Sequence, residues 1–289
     1  MTRLRDLAEL VRAPAALSVP GDVVAGAAAA GRLGPRTPLL VASSVCLYWA
    51  GMAANDWADR ELDAKERPER PIPSGRMPAR TAVAVAAGLT AGGVAIAGLV
   101  GGRRALAVAA PLAGLVWAYD LTLKHTRAGA ATMAACRGLD VLLGASAGRL
   151  RGAIFPALTV AAHTYTVSVL SRSEVDGADP VLPVTTLLGT AFVTAAAAAR
   201  PPAGPRHRLR SAAAALLAAG YAGAYGMAQL RVVADPSAAA VRAAVAAGIV
   251  NLPALQGALA ARAGAPLTGV AVAAAAPVGR HLARRLTPT

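Results

Sequence analysis

The chain has 289 residues, of which 56% are hydrophobic and only 15% are charged, with a mean hydropathy of +0.51. This balance excludes a disordered chain, and it is too apolar for an ordinary soluble domain. Two cysteines exclude a disulfide framework. The net charge of +14 would suit nucleic acid, but aromatic residues make up only 3% and no basic stretch alternates with them, so we expect no nucleic-acid partner.

Uncharged runs of 17 to 22 residues recur along the chain, which is the length of a membrane-spanning helix. Backbone groups in lipid must bond internally, and these runs do not alternate as barrel strands do. The sequence therefore predicts an all-α transmembrane bundle of nine or ten helices, forming a single integral membrane domain over residues 1–289. The expected spans are Ala13–Ala30, Thr37–Asn55, Thr81–Gly102, Ala105–Tyr119, Ala128–Gly148, Gly152–Ser171, Pro180–Ala199, Ser211–Leu230 and Ala243–Ala261, with Ala263–Gly279 as the tenth.

The loop that follows the second predicted span is rich in both acids and arginines. Asn55, Asp59 and Asp63 are four residues apart, so a helix that continues out of the span would stack them on one face. Oxygen ligands in this arrangement suit a hard cation such as Mg²⁺. Arg67, Arg70 and Arg76 follow on a proline-stiffened segment, and together with the acids they suit a diphosphate held through the metal. A solvated connecting loop is the alternative reading.

Two more polar loops follow the fourth and sixth spans. The first carries Lys124, one of only two lysines among 29 basic residues, and the second carries Glu174, Asp176 and Asp179. Lys124 could donate to phosphate oxygens as a point charge or could anchor the chain at the membrane boundary. Loops after even-numbered spans share one side of the membrane, and a slight excess of basic residues there favours the cytoplasm.

Three ionisable residues, Asp22, Arg137 and Asp140, fall inside predicted helices, so we expect them to face the bundle interior. Arg137 and Asp140 are three residues apart, so they could neutralise each other. Asp22 follows a glycine and could cap a helix segment.

The segment N-D-x-x-D-x-x-x-D at Asn55–Asp63, followed by RPIPSGRM at Arg70–Met77, resembles the first signature of UbiA-type intramembrane prenyltransferases. YDLTLKHTRAG at Tyr119–Gly129 resembles the Tyr/Lys signature of that family, with one extra residue between Tyr119 and Lys124. MAACRGLDVLLGAS at Met133–Ser146 resembles the fifth helix of its EboC-like branch, and SVPGDVVAG at Ser18–Gly26 resembles its first helix.

The resemblance implies a helical bundle around a central cavity and Mg²⁺-dependent transfer of a prenyl group from a prenyl diphosphate to a hydrophobic, often aromatic, acceptor in a multi-pass membrane protein. Asn55, Asp59 and Asp63 would hold the metal, and Lys124 with Arg67, Arg70 and Arg76 would bind the diphosphate. Tyr119 would face the allylic cation. The second acidic motif departs from the family, because Ser171 and Ser173 stand where acids are expected. Glu174, Asp176 and Asp179 remain, and of these Glu174 and Asp176 would be the metal ligands.

Two alternatives to an enzyme remain open at this point. The altered second motif would suit a non-catalytic, prenyl-lipid-binding member of the same fold. Many spans with buried charges would suit a transporter or flippase, although no pair of broken helices occurs in corresponding halves of the sequence. Mg²⁺-dependent diphosphate release would separate the enzyme from both alternatives.

Overall fold

A computed structural model describes residues 4–13, 18–199 and 207–275, and every regular element within these ranges is helical. This confirms the all-α class. The α-helices are α1 (Leu4–Leu10), α2 (Pro20–Ala29), α3 (Thr37–Ala58), α4 (Arg60–Glu66), α5 (Ala79–Ala118), α6 (Gly129–Ala145), α7 (Leu150–Leu170), α8 (Val181–Ala198), α9 (His207–Tyr221), α10 (Met227–Ala234), α11 (Ala238–Arg262) and α12 (Pro266–Ala273).

Five helical segments among the described residues are long and apolar enough to cross a membrane. They are Thr37–Ala58, Ala79–Leu123, Leu150–Ser173, Val181–Ala198 and Ala238–Arg262. The other predicted spans also coincide with helices, but α2, α6 and α12 are shorter, and a π-helical turn at Ala222–Gly226 separates α9 from α10. The predicted tenth span lies partly outside the described residues. The count of nine or ten spans stays a prediction.

The longest helical segment, Ala79–Leu123, is two helices joined by a sharp reversal. Gly102 has φ 63° and ψ −153°, a backbone conformation that favours glycine. Trp117 Nε1 donates a hydrogen bond of 3.0 Å to Thr90 Oγ1 across this reversal. In a straight helix, these residues would be about 40 Å apart at 1.5 Å per residue. The two halves therefore form an antiparallel hairpin, which matches the third and fourth predicted spans.

Small residues bring helix backbones into direct contact in the part of the bundle that surrounds the site. A Cβ added at Gly26 of α2 would lie 1.8 Å from the carbonyl oxygen of Val141, and one added at Gly144 of α6 would lie 2.0 Å from that of Val23. Such close approach is typical of helix packing in membranes. The abundance of glycine and alanine in this sequence thus has a packing role, and it fixes α6 against α2.

Candidate functional site

The three polar loops meet at one end of the bundle, as the count of spans predicts. Lys124 Nζ donates a hydrogen bond of 2.6 Å to Asp59 Oδ1, which joins the loop after α5 to the loop after α3. The guanidinium of Arg172, on the loop after α7, donates to the carbonyl oxygen of Thr126. This end of the bundle therefore gathers the residues that the sequence singles out.

The first acidic motif forms a ladder along the end of α3 and the start of α4. Backbone hydrogen bonds connect Asp59 N to Asn55 O at 2.9 Å, Asp63 N to Asp59 O at 2.8 Å and Arg67 N to Asp63 O at 2.8 Å. Asp59 lies between the two helices with φ −89° and ψ 6°, so the helix is distorted there, although the spacing of one turn is kept. The expected stacking of Asn55, Asp59 and Asp63 is present.

Cationic side chains of this chain bind the acids of the ladder. Lys124, whose side chain is 9% exposed, pairs with Asp59. Arg70 Nη1 lies 2.6 Å from Asp63 Oδ2, and Arg67 Nη1 lies 3.8 Å from Asp63 Oδ1. Asp63 lies outside the apolar spans, yet it is only 2% exposed and is paired with a largely buried arginine, so it belongs to the packed part of this end of the bundle.

Arg76 is turned towards the N-terminal helix and binds there instead of on the ladder. Its guanidinium donates hydrogen bonds to Glu9 at 2.9 Å, to Asp6 at 2.5 Å and to the carbonyl oxygen of Glu69 at 2.6 Å. The hydrogen bonds from Arg76 to Glu9, and then those to Asp6, raise its pKa above the ordinary arginine value. Arg76 therefore fastens α1 to the loop before α5, and its expected contact with diphosphate stays a prediction.

The second acidic motif does not form a compact metal site in this structure. Glu174 is partly buried and its carbonyl oxygen accepts a hydrogen bond of 2.7 Å from Arg242, while Asp176 is exposed. Partial burial raises the pKa of the Glu174 carboxyl. Asp179 caps α8, since its Oδ1 accepts from the backbone N–H groups of residues 181 and 182. Within the described residues, no group of three or more His, Cys, Asp or Glu side chains could hold a metal ion.

Three residues that the sequence reasoning did not assign to the site belong to its geometry. Asp120, 4% exposed, accepts a hydrogen bond of 3.2 Å from Asn55 Nδ2. Asp56, also 4% exposed, accepts from Arg12 at 2.8 Å and from Arg70 at 3.2 Å. An acid at the end of an apolar run was a signal for Asp120 and Asp56. No sequence signal pointed to Arg12, because it is 44 residues away from its partner.

A cavity of about 290 Å³ opens beside this cluster and extends into the bundle between α3, α5 and α6. Asn55, Tyr119 and Asp120 line it at the polar end, so Tyr119 lies where the resemblance implies. Arg137 and Asp140 line its other end. The site thus combines a charged entrance with a chamber inside the bundle, which is the arrangement needed for a substrate with an anionic head and a long apolar tail.

The charges at the inner end pair differently from the expectation. Arg137 Nη2 lies 2.9 Å from Asp22 Oδ2, and Asp140 Oδ2 accepts a hydrogen bond of 2.7 Å from Ser44. Asp22 Oδ1 accepts a further hydrogen bond of 2.7 Å from Gln256 Nε2. Arg137 therefore forms its ion pair with Asp22 and not with Asp140, and the expected capping role of Asp22 was wrong, because no described side chain caps α2. Arg137 turns to α2 because Asp22 is brought against α6 by the close glycine packing described above.

Comparison with known proteins identifies the class to which this fold and site belong. Residues 19–175, more than half of the chain, match the model of the UbiA prenyltransferase family. The chain belongs to this family. Its assignment to the EboC-like branch stays a prediction.

Among curated relatives, the digeranylgeranylglyceryl phosphate synthase of Ignicoccus hospitalis is 40% identical over 124 residues, which is 43% of this chain. This match spans only 41% of the length of that relative. The protein of the same name from Halobacterium salinarum is 32% identical over 219 residues, which is 68% of this chain and 77% of the relative.

Solved structures share the fold at low sequence identity. A structure concerning digeranylgeranylglyceryl phosphate synthase in membranes superposes with a TM-score of 0.68 at 16% identity, covering 91% of this chain and 99% of the other. A UbiA homolog from Archaeoglobus fulgidus bound to GPP and Mg²⁺ gives a TM-score of 0.50 at 12% identity, covering 86% and 99%.

Proposed function

We propose that this protein transfers a prenyl group from a prenyl diphosphate to a hydrophobic acceptor inside the membrane, in a reaction that needs Mg²⁺. The observation that carries the proposal is the pairing of Lys124 with Asp59, one helical turn from Asn55, which lines the polar end of a cavity between transmembrane helices. Cations and carboxylates placed together can bind both parts of a metal–diphosphate complex, while the cavity receives the hydrocarbon tail.

The oxygen ligands at the entrance fit magnesium in their chemistry. Asn55, Asp59 and Asp63 offer amide and carboxylate oxygens one helical turn apart, and Mg²⁺ prefers oxygen ligands and shares them with phosphates. These three residues would hold the ion, with Glu174 and Asp176 as further proposed ligands. When bound, the metal supplies charge neutralisation to the leaving diphosphate. The Archaeoglobus homolog bound to GPP and Mg²⁺ supports this proposal.

The chain's own cations do the rest of the diphosphate binding. Lys124 and Arg70 each hold a carboxylate at 2.6 Å in this structure, and they can exchange it for phosphate oxygens when the substrate arrives. Arg67, half exposed, can reach outwards to the same group. Arg76 could bind the diphosphate as well only if its hydrogen bonds to Asp6 and Glu9 on α1 were broken. Positive charge at the leaving oxygens stabilises the bond-breaking step, in which the C–O electron pair goes to the diphosphate.

The cavity then protects the reacting carbon. A transient allylic cation reacts with water unless water is kept out, and the walls of the cavity are largely apolar side chains. The ring of Tyr119 faces this chamber and can stabilise a cation through its π system. The acceptor attacks the allylic carbon and then loses a proton. We place the protein in the cell membrane as a multi-pass enzyme with this entrance on the cytoplasmic side.

One observation favours a second candidate, a prenyl-lipid-binding protein without catalysis. The second acidic motif is weak, because Asp179 is used as a helix cap and Asp176 is exposed. Such a protein would bind a prenyl diphosphate without releasing diphosphate.

Product analysis by mass spectrometry tests the proposal. Membranes that contain the full chain are supplied with a prenyl diphosphate series and Mg²⁺, and prenylated products and free diphosphate are measured. We expect both in the wild type and neither with Asp59→Ala, while Glu66→Ala, an exposed acid on α4, leaves both unchanged. Binding without diphosphate release would favour the second candidate. Normal turnover by Asp59→Ala would refute the site.

A further inference from the structure

Polar and charged side chains close the inner end of the cavity, and the proposed reaction has no use for charge there. Ser44, Arg137 and Asp140 all line it. Asp140 is 5% exposed, and its Oδ2 is bonded to Ser44. Its Oδ1 has no hydrogen-bond partner among the described residues. A carboxylate oxygen left in this state requires water or another donor beside it, and a hydrocarbon cannot supply one.

The depth of the chamber can be measured along α3, which contributes residues at both ends. Asn55 lines the entrance and Ser44 lines the inner end, so eleven residues of one continuous helix separate them. At a rise of 1.5 Å per residue, this separation is about 16 Å. The apolar side chains that line the cavity between the two levels include Leu47, Met52, Leu112, Val116 and Met133.

A prenyl tail has a length that can be compared with this depth. An extended chain advances about 1.2 Å per bond, so an isoprene unit of four bonds takes about 5 Å. Three units therefore fill about 15 Å, whereas four units need about 20 Å. The apolar end of a four-unit chain would then contact the Asp140 carboxylate and displace its hydration. The geometry points to a limit on chain length: Asp140, with Ser44 and Arg137, stops the prenyl group at three isoprene units, a farnesyl chain.

This inference rests on the proposed function and deepens it by naming the substrate's chain length. It makes Asp140 a specificity-determining residue, and it separates this chain from relatives whose name refers to the geranylgeranyl group, which has four units. The limit comes from an end wall of the cavity and not from the diphosphate site, so the two can be changed independently.

Asp140→Leu is the variant of choice, because it replaces the polar wall by an apolar one of similar size. Arg137 keeps its partner Asp22 at 2.9 Å, so no charge is left unpaired. The hydroxyl of Ser44 can return to a backbone carbonyl of its own helix. Asp140→Asn keeps a polar wall as the conservative comparison. Thr159→Val is the matched control. It removes a buried hydroxyl that donates to the carbonyl oxygen of Phe155 on the same helix, α7, and among the described residues Thr159 does not line the cavity.

The experiment is competition binding to the full chain in lipid nanodiscs with Mg²⁺. Dimethylallyl, geranyl, farnesyl and geranylgeranyl diphosphates compete against labelled geranyl diphosphate. In the wild type, we expect affinity to rise up to farnesyl and to fall about tenfold or more for geranylgeranyl. Asp140→Leu should remove that fall and leave geranyl diphosphate unchanged, whereas Asp140→Asn and Thr159→Val should keep the wild-type profile.

The outcomes separate the two proposals. If no prenyl diphosphate binds in a Mg²⁺-dependent way, the proposed function fails. If all bind but geranylgeranyl diphosphate is as good as farnesyl diphosphate in the wild type, the chain-length limit is refuted while the function stands. This comparison needs no variant, so it holds even if Asp140→Leu does not fold. An Asp140→Leu profile that changes equally for all four lengths would also overturn the role of Asp140.

Discussion

The ion pair between Asp63 and Arg70 gives the sharpest test of the structure, because Asp63 lies outside the apolar spans and is nevertheless buried. The two side chains are 3% and 18% exposed, and their charged atoms are 2.6 Å apart. Replacing Asp63 by Ala leaves a largely buried guanidinium without its best partner. Loss of one member of a buried pair costs about 3–5 kcal/mol, and a hydrogen bond to a charged group contributes about 1.5–3 kcal/mol.

The destabilisation expected for Asp63→Ala is smaller than the full cost of breaking a buried pair. Arg70 keeps a second carboxylate, Asp56, at 3.2 Å, and part of its side chain reaches solvent. We therefore expect Asp63→Ala to lower the free energy of unfolding by about 2–3 kcal/mol. For a chain of this size, that corresponds to a fall in Tm of roughly 4–10 °C.

The assay is thermal unfolding of the purified protein in detergent, followed by the loss of the monodisperse size-exclusion peak. Glu66→Ala is the matched control, because this acid lies on the same short helix and is exposed. Its Tm should match that of the wild type. If Asp63→Ala also melts within about 1 °C of the wild type, burial of the Asp63–Arg70 pair does not stabilise the fold and the reasoning is refuted.

Three further predictions follow from the site and the packing. Lys124→Arg should weaken geranyl diphosphate binding about tenfold, because a planar guanidinium needs more space than the buried ammonium that it replaces. Lys65 is exposed, so Lys65→Arg should bind geranyl diphosphate like the wild type. Equal affinities of Lys124→Arg and the wild type in a competition assay would contradict this prediction. Gly144→Ala should prevent recovery of monodisperse protein, since its Cβ would meet a backbone carbonyl at 2.0 Å, while Gly114→Ala, with open space around it, should be recovered like the wild type. Chelation of Mg²⁺ with EDTA should abolish the rise in Tm that geranyl diphosphate gives, and a rise that survives EDTA would argue against a metal-held diphosphate.

The acidic ladder of the site could be predicted from the sequence because its three residues lie close together in the chain. The spacing of Asn55, Asp59 and Asp63 fixes their stacking through local helical geometry, which the backbone hydrogen bonds reproduce. Lys124 stood out by residue type and by the parity of the spans, and the structure brings it to Asp59. The roles of these residues in catalysis remain predictions that the proposed experiments test.

The sequence by itself determined the membrane-spanning helical class, the parity of the polar loops and the family signature, because apolar run length and motif spacing are properties of the local chain. Only the tertiary structure decided which charges meet. Arg76 binds the acids of α1, and Arg70 contacts both Asp56 and Asp63. Arg137 forms its ion pair with Asp22 and not with Asp140. Those pairings depend on how closely helices approach at glycines and on which side chains share a cavity wall. A buried charge takes the partner that packing brings within reach, and sequence separation does not reveal that partner.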